Sequence, residues 1–269
     1  MSHRSPRKRF GQNFLHDTNI IDKIIRSMAP GANDYFVEIG PGRGAITRPL
    51  SKLVGHLDAI EIDRDLADDL ERQPWAERIT IHRADALRFA FDELSTQPES
   101  LRLIGNLPYN ISTPLLFHIL DYCELFRDIH VMLQKEVVQR MAASPGSKEY
   151  GRLSVALAAH VEVSSLFTIS AGSFTPAPKV QSAFARLTPL PQPLVSAAEQ
   201  PVFDAILRAA FGQRRKQLGN ALDGQITADE IRAAGVDPKQ RAEMLSVEAF
   251  VALARAAGTR PIPGTKGGA

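Results

Sequence analysis

The chain has 269 residues, 44% hydrophobic and 23% charged, enough apolar material for a substantial core. Its 32 basic and 30 acidic residues nearly cancel, to a formal +2, so overall charge does not single out nucleic acid as a partner. The single cysteine, Cys123, excludes an intramolecular disulfide or a multi-cysteine metal site, and with no long apolar run or N-terminal apolar leader the expectation is a cytoplasmic protein with no membrane partner.

Lys8-Arg9-Phe10-Gly11-Gln12-Asn13-Phe14-Leu15 precedes Ile20, Ile21, Ile24, Ile25 and Met28, whose spacing predicts a helix. Gly31-Ala32-Asn33 should end it, and Tyr35-Phe36-Val37-Glu38-Ile39 reads as a buried strand. That strand runs into Gly40-Pro41-Gly42-Arg43-Gly44 and a helical stretch from Ala45 to about Val54. A strand, a glycine loop and a helix form a nucleotide-site signal, although the dinucleotide spacing Gly-x-Gly-x-x-Gly is not met. Further strands are expected at Leu57 to Ile60, Ile79 to His82, Leu101 to Ile104 and Ile129 to Leu133, the last leading into a helix near Lys135. This alternation predicts an α/β fold with a doubly wound parallel sheet. After Ser144-Pro145-Gly146-Ser147 come a helical pattern, Leu153 to Ala159, and two final strands over 161–169 and 182–187. The proline-rich break at Thr188 to Pro193 divides a first domain, 1–191, from a helical domain, 192–258, and 259–269 reads as a disordered tail. In the helical domain Val202, Phe203, Ile206, Leu207 and Phe211 mark one helix and Arg214 to Leu222 a second. Thr227-Ala228-Asp229-Glu230 is a capping box for a third, and Ser246 caps a fourth that runs to about Ala257.

The strand ends carry the chemistry, because open α/β sheets hold ligands beyond the carboxyl ends of their strands. Glu61 stands 21 residues after Gly40 at the tip of the next strand, placed to accept both hydroxyls of a ribose. Asp63, with Arg64, reads equally as the cap of the following helix. Asp85 can accept a hydrogen bond from the amino group of an adenine, or serve as an ordinary helix cap.

Asn106-Leu107-Pro108-Tyr109, at the end of the fourth strand, offers an amide oxygen, a backbone carbonyl, a rigid proline and a flat ring. That set suits an amino group on a planar base. The exocyclic nitrogen of adenine is a poor nucleophile because its lone pair is delocalised into the ring. Hydrogen bonds from both N–H groups to Asn106 and Leu107 would localise that pair for methyl transfer, while Tyr109 stacks on the base. Phe174, in Phe174-Thr175-Pro176-Ala177-Pro178-Lys179-Val180, is either the second wall of that slot or packing at the sheet edge. Two acid-free segments, 1–16 with Arg4, Arg7, Lys8 and Arg9, and 205–222 with Arg208, Arg214, Arg215 and Lys216, fit phosphate contact or, each by itself, equally a solvated basic turn or arm.

In their order, these motifs resemble the small-subunit (16S) ribosomal RNA adenine N6,N6-dimethyltransferase family. The resemblance covers nearly the whole chain and rests on Lys8 to Leu15, Glu38 to Gly42, Asn106 to Ser112, Leu133 to Val137 and Phe174 to Val180. It implies a Rossmann-like methyltransferase sheet, mostly parallel with the last strand antiparallel, and a small all-α C-terminal domain. It implies S-adenosyl-L-methionine as cofactor, S-adenosyl-L-homocysteine as product and no metal. Asn13 and the Leu15 backbone would hold the methionine end, Gly40 the amino-acid and ribose region, Glu61 the ribose and Asp85 the adenine. Asn106 would face both the methyl donor and the target amine. The substrate implied is 16S rRNA within a nearly assembled small ribosomal subunit, dimethylated on two adjacent adenosines of its 3′-terminal hairpin. The sequence shows no long apolar seam for an obligate dimer, so a monomer is expected. Where similar proteins usually carry a more basic run, Arg214-Arg215-Lys216 is followed here by Gln217-Leu218-Gly219-Asn220, which puts affinity for RNA in doubt. The alternatives are an adenosine methyltransferase of large-subunit RNA and a non-catalytic ribosome-assembly factor. A dinucleotide dehydrogenase is disfavoured by the glycine spacing.

Overall fold

Asp17 starts the first helix by accepting hydrogen bonds from the N–H groups of Asn19 and Ile20, and the helix, α1 (Thr18–Met28), buries Ile24, Ile25 and Met28 on one face. It ends at Ala29, whose left-handed φ of 46° returns its N–H to Arg26 O, ahead of the glycine expected to stop it. The computed structural model describes residues 12–213 and 215–258. The chain up to Val138 with Val163–Pro189 forms one compact unit, and Gln139–Glu162 with the chain from Leu190 forms the other. The sequence boundary at 191/192 stands close to the division after Pro189, but the two units are not linear in sequence, because 139–162 belongs with the helices.

The first unit is built on a sheet. Its strands are β2 (Tyr35–Ile39), β3 (His56–Ile60), β4 (Thr80–His82), β5 (Leu101–Asn106), β6 (Phe126–Gln134), β7 (Val161–Ile169) and β9 (Ser182–Pro189), ordered β4-β3-β2-β5-β6-β9-β7. Pairs β3–β4, β2–β3, β2–β5 and β5–β6 are parallel, and β9 runs antiparallel to β6. A two-stranded ribbon, β1 (Phe14–Leu15) with β8 (Phe174–Thr175), lies apart from that sheet. The connecting helices are α2 (Thr47–Leu50), α3 (Arg64–Glu71), α4 (Ser112–Leu120) and α5 (Lys135–Met141), the last reaching into the second unit. The helix expected from Ala45 to Val54 shortens to α2, after which Lys52 and Leu53 close three-residue turns.

Burial on both faces explains why β2, β5 and β6 read as continuous apolar runs. One side of the core joins Ile24, Met28, Phe36, Leu57, Met132 and Phe184, each worth about 1.5–3 kcal/mol on burial. At the amino ends of the strands, buried Arg102 binds Asp34 at 2.6 Å, Asp128 at 2.8 and 2.7 Å, and Met28 O at 2.7 Å. The opposite, carboxyl ends are left for a ligand. Strand order reverses between β2 and β5, and the loops after β2, β3, β4 and β5 open there side by side.

The second unit contains α6 (Arg152–Ala158), α7 (Gln200–Gly212), α8 (Leu218–Ala221), α9 (Ala228–Ala233) and α10 (Val247–Ala257). Thr227 and Glu230 form the expected reciprocal capping box, and Ser246 Oγ accepts from Ala249 N. The helix anticipated over 214–222 is only the single turn of α8; Arg214 and 259–269 lie outside the described residues, as do Arg4, Arg7, Lys8 and Arg9. No helix of the described residues is long and apolar enough to cross a membrane.

Candidate active site

Nine of the ten sequence-selected site residues, Asn13, Leu15, Gly40, Glu61, Asp85, Asn106, Leu107, Pro108 and Tyr109, line a single cavity at the carboxyl ends of the strands. The glycine loop forms its floor. Gly40 has φ 67°, a conformation that favours glycine, and its N–H bonds to Ile60 O at 2.9 Å, tying the loop to β3. A Cβ on Gly42 would press on the Phe14 ring at 3.2 Å, so the loop backbone is bare toward the arm above it.

Glu61 is 5% exposed, and its carboxylate is held by two backbone donors, Asp63 N to Oε1 at 2.9 Å and Gly42 N to Oε2 at 3.2 Å. Burial raises its pKa, and those two donors oppose the rise. The lone pairs left on the carboxylate keep it able to accept hydrogen bonds from hydroxyl groups. Asp63 caps α3 through Asp65 N at 3.1 Å and also accepts Gln12 Nε2 at 3.1 Å. It is therefore the helix cap that its position beside Arg64 allowed, and an anchor for the N-terminal arm. Asp85 Oδ1 accepts Leu87 N at 3.0 Å in a turn, which orients the carboxylate at the cavity wall.

Asn106 ends β5 half-buried, and its Nδ2 donates to Asn13 O at 2.9 Å. A carbonyl can only accept, so this bond fixes which end of the amide is nitrogen and leaves Oδ1 as the acceptor. Leu107 N donates to Met132 O at 3.1 Å, and among the described residues no backbone N–H bonds to the Leu107 carbonyl. Tyr109 follows in a turn, with its hydroxyl 2.6 Å from Ser182 Oγ. Two acceptors and an aromatic ring thus share the cavity with Glu61 and Asp85.

Phe174 is the exception. It pairs with Leu15 in the β1–β8 ribbon, and the pleat turns its ring inward, 2% exposed in the core, while Thr175 faces solvent. It belongs to that core cluster and is absent from the cavity lining, so this structure does not bring its ring beside Tyr109.

Of the cavity residues with no role assigned from the sequence, Ile62 and Glu38 bear most directly on a ligand. Ile62 is an apolar side chain left 47% exposed beside Glu61, where a flat apolar ligand surface would cover it. Glu38 lies inside β2; burial, reinforced by the Glu61 charge and opposed by Thr47, raises its carboxyl pKa to about 7. Its Oε2 has no hydrogen-bond partner among the described residues. The signal for Glu38 was a carboxylate inside an apolar strand, whereas Ile62 carried none. Arg43 stacks over the Phe14 ring at 4.4 Å and helps hold the arm against the loop.

The family model described as ribosomal RNA adenine dimethylase matches residues 3–257. The chain is 49% identical over 256 residues to ribosomal RNA small subunit methyltransferase A of Nitrosococcus oceani, covering 95% of this chain and 97% of that protein. Among solved structures, a dimethyladenosine transferase from Plasmodium falciparum superposes with a TM-score of 0.77 at 25% identity, covering 89% of this chain and 95% of that one. The 23S rRNA methyltransferase ErmE shares the fold, with a TM-score of 0.70 at 23% identity over 91% of this chain and 99% of its own. Matched along nearly its whole length, and with the Asn106 to Tyr109 slot beside the Glu61 and Asp85 ends of its sheet, the chain belongs to the ribosomal RNA adenine dimethylase family.

Proposed function

We propose that the protein transfers methyl groups from S-adenosyl-L-methionine to the N6 amino groups of two adjacent adenosines in the 3′-terminal hairpin of 16S rRNA, during small-subunit biogenesis. The observation that carries this reading is the acceptor pair: Asn106 Oδ1, oriented by the Nδ2 bond to Asn13 O, and the Leu107 carbonyl, next to the Tyr109 ring.

The cavity suits the cofactor's donor and acceptor groups. Glu61 has lone pairs for both ribose hydroxyls, Asp85 an oxygen for the adenine amino group, and Ile62 an apolar face for the ring. Gly40, Asn13 and Leu15 would hold the amino-acid end. When bound, the cofactor supplies an electrophilic methyl group. The chain's own residues do the rest: Asn106 Oδ1 and the Leu107 carbonyl accept hydrogen bonds from the amine N–H groups and draw the lone pair out of the ring, and Tyr109 fixes the base plane. The methylated nitrogen is acidic enough to lose its proton to water, so no strong base is needed. The slot admits only an unpaired or extruded base.

The name of the Nitrosococcus oceani relative supports the small subunit as substrate over large-subunit RNA. The test is transfer from labelled cofactor to unmethylated small subunits and, in parallel, to large-subunit RNA, with nucleoside analysis. Dimethyladenosine in the small subunit alone is expected. Label confined to large-subunit RNA would overturn the substrate, and absence of transfer with retained subunit binding would make the protein an assembly factor.

A further inference from the structure

Tyr109 is restrained at both ends. Its backbone carbonyl accepts Ser112 Oγ at 3.2 Å, and its phenol oxygen lies 2.6 Å from Ser182 Oγ. Ser182 is the first residue of β9, has no exposed surface, and pairs with Gln134 at the carboxyl end of β6. The serine hydroxyl is therefore carried by the sheet, whereas the tyrosine ring stands on a turn. Sequence distance hides the pairing, since 73 residues separate the two.

Stacking a base requires only an aromatic face, which phenylalanine would supply equally. The Tyr109 hydroxyl is not placed as an acid or base at neutral pH, because burial holds its pKa above the ordinary tyrosine value. What the hydroxyl adds is the bond to Ser182. Without that bond the ring can turn about two side-chain torsions, and catalysis by positioning is steep, with a misplacement of about 1 Å costing on the order of 10²-fold.

We propose that Ser182 is a positioning residue: its hydroxyl pins the far end of the Tyr109 ring to β9, setting the plane on which the acceptor base stacks. The inference rests on Tyr109 being the stacking face of the proposed adenosine slot.

A cycle of Ser182→Ala, Tyr109→Phe and the double variant tests it. Each single change should lower kcat by roughly 3- to 10-fold, the worth of one hydrogen bond, with cofactor Kd unchanged by calorimetry. The double variant should be no slower than either single one, and Ser182→Thr, which keeps a hydroxyl, should recover most of the rate. Losses that multiply in the double variant would mean that Ser182 acts elsewhere, and would overturn the proposal. A second readout needs no turnover: fluorine NMR of protein labelled with fluorotyrosine, with the Tyr109 signal identified by its loss in Tyr109→Phe. That signal should be sharp in the parent and in Ser182→Thr, and shifted or averaged in Ser182→Ala. An unchanged signal in Ser182→Ala overturns the tether. A responsive signal in a parent protein that transfers no methyl group would support the tether and sink the assigned reaction.

Discussion

Asn106 divides its two amide ends between two tasks, and this makes it the most informative residue to change. Its nitrogen donates to the Asn13 carbonyl, and its oxygen is the acceptor that the proposed reaction assigns to the substrate amine. Asn106→Ala should lower kcat by roughly 10²- to 10³-fold, the usual cost of one preorganised transition-state contact, and leave cofactor Kd within a few-fold. Single-turnover rates with calorimetry separate the two; a matching loss of cofactor affinity would make Asn106 chiefly a binding residue. Glu61 should behave in the opposite sense. Glu61→Gln keeps the shape but sets an amide N–H₂ against one of the backbone donors, Gly42 N or Asp63 N. Losing charge-assisted bonds of about 1.5–3 kcal/mol predicts cofactor Kd raised roughly 10- to 100-fold, with little change in kcat at saturating cofactor. A kcat that fell with unchanged Kd would remove Glu61 from the cofactor site.

The glycine loop between β2 and α2 shows how one element serves both fold and site. Gly40 and Gly44 both have positive φ, at 67° and 78°, so a side chain at either is strained by roughly 1–2 kcal/mol. Their surroundings differ. A Cβ at Gly40 would meet only Asn106 O at 3.9 Å, whereas one at Gly44 would lie 2.7 Å from the Trp75 ring. Gly40→Ala should therefore cost stability only by the backbone strain and act mainly on cofactor binding. Gly44→Ala should unfold at lower denaturant by a clearly larger margin, because the indole must also move. Urea unfolding of the two variants checks this, and equal losses would mean that Trp75 yields freely.

At the scale of the whole molecule, the two ends of the sheet are kept for different purposes. The carboxyl ends bear the site, while the amino ends are joined by the Arg102 network. Between them, on β6, His130 is 1% exposed, stacks on Phe184 at 5.7 Å, and has no hydrogen-bond partner for either ring nitrogen among the described residues. Burial, with help from Arg102 and Arg186 and against Asp128, lowers its pKa to about 4. The folded chain thus declines a proton that the unfolded chain, with histidine near its ordinary value of about 6.5, takes up. Stability should fall as pH drops from about 6.5 toward 4, by about 3 kcal/mol for this group alone. His130→Leu should flatten that stretch of the curve of Tm against pH, and parallel curves for parent and variant would exclude His130 as the cause.

Local chemistry in the sequence determined the strand ends and what they carry. The buried runs Tyr35 to Ile39 and Leu101 to Ile104, the glycine loop, Glu61 at its spacing, and Asn106 to Tyr109 are each legible because a strand that stops in glycine or proline announces where its last side chains stand. The caps at Thr227 and Ser246 were legible for the same reason, since a cap is a bond between near neighbours. Contacts across long separations were decided only by the tertiary structure. Asn13 orients the Asn106 amide from 93 residues away, and Ser182 meets Tyr109 from 73. Phe174 belongs with these, because an aromatic in a proline-stiffened segment gives no local sign of which way it faces, and pairing with Leu15 turned it into the core. The grouping of 139–162 with the C-terminal helices was hidden likewise, since packing partners are chosen by complementary faces and not by chain order.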